Sequence, residues 1–207
     1  SGLKAATSPA IFVVNPGDVD DTPAILQAFD DAKEAGPGSV VQMVEGTYHL
    51  NFMEVREFNG KFNGAGKGKT IITTVPDLDV NALISQNLNT MLIRFVGGDV
   101  CMSNMTIMTP SGPLSTGSEK KIDGLAGFSA FTILDRSPDN YMNAIIDNVE
   151  FTGHVDNCGY GLKAEFGIRS GVNVSGGYPL SHTNITITNC LFENFYYSGA
   201  LIWHIKD

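Results

Sequence analysis

The 207-residue sequence has few basic residues and no long apolar run. Its 13 Lys and Arg are outnumbered by 22 Asp and Glu, which gives a formal net charge of −9 at pH 7. Because nucleic-acid phosphates are bound by clustered Lys and Arg, this balance argues against nucleic acid as a partner. A membrane-spanning helix needs about 20 consecutive apolar residues. No stretch approaches that length, so no membrane span is expected.

Cysteine and recognisable targeting signals are also scarce. The three cysteines, Cys101, Cys158 and Cys190, are far apart, odd in number and form no CxxC pair. A zinc site or a disulfide framework needs paired or closely spaced cysteines, so free thiols are expected instead. No signal peptide is visible, and residues 1–11, which open with Ser-Gly, are interpreted as a leader or linker.

What the sequence does contain is a strand pattern that changes phase at an asparagine. In "ITITNCLF", Ile185 and Ile187 alternate with polar residues, as on one face of a strand. After Asn189 the apolar residues are Cys190 and Phe192, which have the opposite parity. An uninterrupted strand would turn these two side chains away from the core, so the asparagine marks a bend.

The same change of phase occurs at two further asparagines, Asn104 in "VCMSNMTI" and Asn148 in "AIIDNVEF". The spacings are 44 residues (104 to 148) and 41 residues (148 to 189). Asparagine tolerates the left-handed backbone region, so it can bend the chain while both flanking strands keep their apolar faces inward. A bend repeated at the same point of successive segments predicts stacked coils, which is a β-solenoid with aligned asparagines.

A second type of strand accompanies each bend, and polar insertions separate the coils. The candidate strands are "MLIRFV" (91–96), "FSAFTIL" (128–134), "FGIRSGVNV" (166–174) and "ALIWHI" (200–205). The insertions are 109–127, 135–142, 152–165 and 175–183. They explain a repeat longer than the 20 to 30 residues or so of a bare solenoid coil. The alternative is an antiparallel sandwich with Asn turns, which does not account for three identical changes of phase.

An amphipathic helix is predicted within residues 17–36. Asp21 or Thr22 suits the N-cap, Pro23 suits the first helical position, and Gly36 is a natural stop. The apolar residues between them recur at i, i+3, i+4 and i+7. One helix followed by strands alone is what a solenoid needs to cover its first coil.

These patterns predict a single domain, with an N-terminal cap over residues 12–52 and β-helix coils over 53–207. The chain ends at Asp207, just inside a new coil, whereas a solenoid normally carries a C-terminal cap. We therefore expect either a truncated β-helix or self-association through an open C-terminal end.

Three parts of the sequence resemble the pectin-lyase-like superfamily. "DDTPAILQAFDDAKEAGPGSVVQMVEGTYHL" (20–50) is similar to the N-terminal cap of pectate-lyase-superfamily, polygalacturonase-like and phage-tailspike-like proteins. "FNGAGKGKTII" resembles the glycine-rich first coil that follows, and the Asn-bend strands resemble coils with an internal asparagine ladder. The resemblance covers residues 12–207 and implies an all-β fold, a right-handed parallel β-helix (β-solenoid) with an N-terminal amphipathic capping helix.

The resemblance also implies a carbohydrate-active protein that acts on polysaccharide and is extracellular, periplasmic or on the cell surface. Members are commonly lyases, which abstract the proton α to a uronate carboxylate, or glycosidases, which use paired carboxylates. Some lyases use Ca²⁺ held by Asp and Glu. The Asn-Thr-Asp, Gly-His-Gly and Arg-Ile-Lys motifs of polygalacturonase-like members are missing here, and no metal ligand is assigned. The alternative is a non-catalytic glycan-binding, adhesin, tailspike-like or structural β-helix.

Candidate catalytic residues lie in the polar stretch "GHVDNCGYGLKAEFGIR". In a lyase, Lys163 and Arg169 would neutralise the substrate carboxylate, and His154 or Lys163 would take the proton. In a hydrolase, Asp156 and Glu165 would be the two carboxylates, about 5 to 9.5 Å apart.

Candidate substrate-binding residues lie beside this stretch. Arg94 is predicted to point outward from its strand and to line the same groove as Arg169, and Tyr160 is assigned to substrate binding. Tyr196 and Tyr197 are interpreted either as sugar-stacking residues or as packing residues.

Overall fold

The computed structural model describes residues 8–17, 19–85, 91–112, 114, 122–129, 141–165 and 182–202. Within these residues the chain is mostly β, and every strand pairing is parallel. No helix among them is long and apolar enough to cross a membrane. In chain order the elements are β1 (Ile11–Val14), α1 (Thr22–Ala35), β2 (Ser39–Met43), β3 (Gly46–Leu50), β4 (Met53–Arg56), β5 (Gly60–Asn63), β6 (Thr70–Thr74), α2 (Val80–Ser85), β7 (Met91–Val96), β8 (Gly98–Met108), β9 (Ile122–Ser129), β10 (Tyr141–Thr152), β11 (Cys158–Glu165), β12 (His182–Thr188), β13 (Leu191–Glu193) and β14 (Ser198–Ile202).

The strands form two sheets, and the chain alternates between them. The first sheet has the order β1-β2-β5-β8-β10-β12, with β3, β6 and β13 paired alongside, and the second has the order β4-β7-β9-β11-β14. From β7 to β12 the strands alternate between the sheets: β7, β9 and β11 belong to the second, and β8, β10 and β12 to the first. Each passage of the chain therefore lies beside the previous passage in both sheets.

The strand register reproduces the spacing of the asparagines. Residues opposite each other in β8 and β10 differ by 44 positions, as in the pair Gly98 and Met142. Residues opposite each other in β10 and β12 differ by 41, as in the pair Tyr141 and His182. The sequence repeat is therefore the register of the parallel first sheet.

The three predicted bends are confirmed. Asn104, Asn148 and Asn189 have φ values of 59°, 55° and 54°, in the left-handed region that asparagine tolerates better than most residues. Around the first bend, Met102 and Met105 are both fully buried although their positions differ in parity. The bend thus keeps the apolar side chains of both half-strands in the core.

The asparagines of neighbouring strands in the first sheet are joined by their side chains. The Nδ2 of Asn148 donates to Oδ1 of Asn104, and the Nδ2 of Asn104 donates to Oδ1 of Asn63, each at 2.8 Å. Asn63 in turn donates to Oε1 of Gln42 at 2.8 Å. Asn189 departs from this row, because its Nδ2 donates to Oδ1 of Asp147 at 2.9 Å. We call Gln42, Asn63, Asn104 and Asn148 the inner amide row.

Helix α1 packs its apolar stripe against strands β1, β2 and β4. Its buried residues include Ile25 and Phe29, as the i, i+3, i+4, i+7 pattern predicts. The Phe29 ring lies 4.9 Å from that of Phe58, 5.2 Å from Phe62 and 5.8 Å from Phe95. Burying such rings is among the largest single contributions to a core, so the helix is anchored firmly over this end of the sheets.

Two predicted insertions contain strands instead. Strand β11 (Cys158–Glu165) lies inside 152–165, and β9 (Ile122–Ser129) begins inside 109–127. Glycines at 159 and 161 hide the alternation of β11, although Leu162 and Ala164 are fully buried. The candidate strand 166–174 lies outside the described residues, as do most of 128–134 and the last part of 200–205.

Candidate functional site

Strand β11 carries two of the predicted site residues, and both are accessible to solvent. Leu162 and Ala164 are fully buried, whereas Tyr160 and Lys163 remain partly exposed. The Lys163 Nζ lies 5.8 Å from the centroid of the Tyr160 ring, within cation–π distance. The structure therefore brings these two residues together.

Lys163 is ion-paired to a residue that the sequence interpretation missed. Its Nζ lies 2.5 Å from Oδ2 of Asp123 on the neighbouring strand β9, and the two side chains are 15% and 25% exposed. Only the strand register brings positions 123 and 163 together, and no local motif marks the pair. An ion-paired ammonium is a hydrogen-bond donor, so this contact fits Lys163 as a binding or charge-neutralising group better than as a base.

Two exposed tyrosines extend this cluster. The rings of Tyr160 and Tyr197 are stacked, with centroids 5.3 Å apart and planes at 24°. Tyr196 meets Tyr197 edge to face, at 4.6 Å and 78°. Tyr196 is 56% and Tyr197 67% exposed. Of the two interpretations of this tyrosine pair, its exposure favours the sugar-stacking one.

Arg94 lies on the same sheet, in register with Lys163. Arg94 on β7 is opposite Gly127 on β9, and Gly127 is opposite Lys163 on β11. The Arg94 Nη1 lies 3.3 Å from Oε2 of Glu54, and the Arg94 side chain is 15% exposed. Arg94 therefore belongs to the same row as Lys163, and it too contacts a carboxylate.

His154 and Asp156 form a pair at the start of β11. The His154 carbonyl accepts hydrogen bonds from the backbone N–H groups of Asn157 and Cys158, which closes a turn. The His154 Nδ1 lies 3.5 Å from Oδ2 of Asp156, whose side chain is 71% exposed. The backbone of Lys163 lies five steps of extended strand, roughly 16 Å, from Cys158. Its ammonium, however, reaches back to Asp123, which is opposite the start of β11, so it lies toward the same end of the strand as His154.

The proposed carboxylate pair is divided. Glu165 ends β11, seven steps or roughly 23 Å from Cys158. Asp156 precedes that strand by only two residues, so the two backbones are much farther apart than the about 9.5 Å of a paired site. Arg169 lies outside the described residues. Among the described residues, no group of three or more His, Cys, Asp and Glu is placed to hold a metal ion.

A second surface, on the first sheet, was missed by the sequence interpretation. Its Asn184 Nδ2 donates to Oδ1 of Asn143 at 2.9 Å, and Asn143 Nδ2 donates to Oδ1 of Asp99 at 2.6 Å. The Asp99 backbone N–H donates to Oδ1 of Asn59 at 2.9 Å. We call these four residues the outer amide row. It borders a groove of about 610 Å³, whose other lining residues include Lys61, Cys101, Ile145 and Thr186. The available signal was an Asp or Asn five positions before each bend asparagine.

Between the two rows, Asp147 is held in its ionised form. Hydrogen bonds from Thr188 Oγ1 at 2.7 Å and Asn189 Nδ2 at 2.9 Å, with Lys67 adding a favourable charge, keep the pKa of Asp147 below its usual value. Because the folded-state pKa is lowered, the stabilisation is present above the unfolded pKa and is lost as pH falls through the folded value.

A carboxyl chemical-shift titration of Asp147 should therefore have a midpoint below that of an unfolded aspartate, and Thr188→Val should raise this midpoint. A midpoint at or above the unfolded value, or one that Thr188→Val leaves unchanged, would contradict this assignment.

Comparisons of the sequence with known protein families, with curated proteins and with solved structures find no match. The function proposed below is inferred from the contacts of the described residues, together with the resemblance noted in the sequence.

Proposed function

We propose that the chain is a right-handed parallel β-helix of the pectin-lyase-like superfamily. The alternation of the chain between two parallel sheets, the constant register and the bend at each aligned asparagine all support this fold. The position of α1 against Phe58 and Phe62 supports its interpretation as the N-terminal cap. An extracellular, periplasmic or cell-surface location belongs to the same proposal.

We further propose that the protein binds polysaccharide on the outer face of its second sheet. The observation that carries this proposal is the pair of exposed tyrosines, Tyr196 and Tyr197, beside the Lys163–Asp123 ion pair. Exposed aromatic rings pack against the apolar faces of sugar rings, and neighbouring polar groups bind the hydroxyls. This surface combines both kinds of contact within one cluster.

Binding is supported better than catalysis. Lys163 donates to Asp123, and Asp156 and Glu165 are separated by the length of β11. General acid–base catalysis requires such groups within hydrogen-bond reach of one reacting centre. The one observation that favours a lyase is that Arg94 and Lys163 stand in the same row, so the catalytic alternative is tested in parallel.

Replacing Tyr197 with alanine should weaken polysaccharide binding about tenfold, because it removes a stacking surface that contributes about 1.4 kcal/mol. Affinity electrophoresis and titration calorimetry of the 207-residue chain with a polysaccharide panel would measure the effect. Tyr197→Phe is the matched control, since it keeps the ring and should bind like the wild type.

If Tyr197→Ala and the wild type bound with equal affinity, the tyrosines would not be part of the binding site. The same incubations, followed for reducing ends and for the ultraviolet absorbance of an unsaturated product, test catalysis. Either signal, abolished by Lys163→Ala, would establish a lyase or glycosidase in place of a binding protein.

A further inference from the structure

Each basic residue on the second sheet contacts a carboxylate of the protein. Within its described strands these residues are Arg56, Arg94 and Lys163. Arg56 and Arg94 share Glu54, at 2.5 and 3.3 Å, and Lys163 contacts Asp123 at 2.5 Å. Lys163, the cation beside the tyrosines, thus has its charge compensated by a carboxylate of its own.

From this pairing we infer that the polysaccharide bound on this face is uncharged, and not a polymer of uronic acids. The inference rests on the proposed glycan-binding function and specifies its ligand class. A uronate carboxylate would have to displace Asp123 from Lys163, and would leave Asp123 without its cation. Leaving a partly buried charge unpaired is strongly unfavourable.

The net negative charge of the protein also disfavours the binding of an acidic polysaccharide. With a formal net charge of −9, the protein repels a polyanion before any local contact forms. The binding of polyanions to proteins normally depends on clusters of unpaired basic groups that release counterions. A neutral polymer is not repelled by the net charge and does not need unpaired basic groups.

The ion pair itself suits a neutral sugar. Lys163 offers donors and Asp123 offers acceptors side by side, so neighbouring hydroxyls of one sugar can donate to the carboxylate and accept from the ammonium. Tyr196 and Tyr197 stand at 78° to each other, which forms an exposed aromatic corner for the apolar face of that ring. These contacts leave both protein charges paired.

The test compares neutral and acidic polymers on the same protein. Affinity electrophoresis of the 207-residue chain would use galactomannan, xylan, hydroxyethylcellulose and dextran as neutral probes, and polygalacturonate and alginate as acidic ones. We expect binding to at least one neutral polymer, changed less than about twofold between 0.05 and 0.5 M NaCl, because no ion pair forms with the ligand.

Asp123→Asn should weaken neutral binding about tenfold and should create weak, salt-sensitive binding to the acidic probes, since it releases the Lys163 charge. Glu45→Gln is the matched control, because it removes the same charge at an exposed position between β2 and β3. It should leave binding to both classes of polymer unchanged.

The outcomes separate the two proposals. Binding to the acidic polymers alone would overturn the inference of a neutral ligand and leave glycan binding in place. No binding to either class would overturn the proposed function, and the inference with it. Neutral binding that Asp123→Asn leaves unchanged would show that the ion pair takes no part, and would also overturn the inference.

Discussion

Replacing Asn104 with alanine should lower the free energy of unfolding by about 3 kcal/mol. Its side chain makes two hydrogen bonds in the inner amide row, one with Asn63 and one with Asn148. Each such bond contributes about 0.5 to 1.5 kcal/mol. Its φ of 59° adds about 1 to 2 kcal/mol of strain once a residue other than asparagine or glycine is present. Urea unfolding followed by circular dichroism would measure the loss.

Two further variants separate these contributions. Asn104→Gly removes the same hydrogen bonds but accepts the left-handed conformation, so it should be about 1 kcal/mol more stable than Asn104→Ala. Asn189→Ala has the same strain, with φ 54°, but loses a single exposed hydrogen bond, to Asp147, so it should be less destabilising than Asn104→Ala. If Asn104→Gly were no more stable than Asn104→Ala, the bend would carry no strain. If Asn189→Ala were as destabilising as Asn104→Ala, the inner amide row would contribute nothing beyond the bend.

Replacing Asp21 with alanine should destabilise the protein by about 3 kcal/mol, because hydrogen bonds to a charged group contribute about 1.5 to 3 kcal/mol each. Asp21 is 3% exposed, and its carboxylate accepts from the backbone N–H of Gly17 at 2.5 Å and of His49 at 2.7 Å. It therefore ties the segment before α1 to strand β3. The alanine variant would leave both donors without this acceptor.

The melting temperature and urea midpoint of Asp21→Ala would measure this loss. Asp21→Asn retains one acceptor oxygen and should have an intermediate stability. Asp30→Asn is the control on the same helix, because Asp30 is 66% exposed and its pair with Lys33 is of the surface kind that contributes little. If Asp21→Ala were as stable as Asp30→Asn, the carboxylate would have no structural role at this point.

The bends could be predicted from sequence because their cause is local. A left-handed residue between two alternating stretches changes the parity of the apolar residues. This change is visible in the sequence at Asn104, Asn148 and Asn189. Helix α1 could be predicted for the same reason, since its spacing and its stop lie within one short segment. Gln42 and Asn63 could not be predicted in this way, because neither interrupts the alternation of apolar and polar residues. Both nevertheless extend the inner amide row.

The site was less predictable because its contacts depend on register. Lys163 meets Asp123 only because β9 and β11 are aligned with an offset that no short motif encodes. Strand β11 itself was taken for a loop, since its glycines interrupt the apolar pattern. Polar residues close in sequence, such as Asp156 and Glu165, are separated in space because an extended strand moves away by about 3.3 Å per residue.

The asparagines of the two amide rows give the first sheet a direction. Asn148 donates to Asn104 and Asn184 donates to Asn143, in each case to the strand that comes earlier in the chain. Gln42 is the exception, because its Nε2 donates to the carbonyls of Met43 and Asn63. Each of these asparagine strands therefore presents acceptors toward its successor and donors toward its predecessor. A strand with its two edges exchanged would oppose acceptor to acceptor, so these hydrogen bonds specify which edge of one strand faces the next.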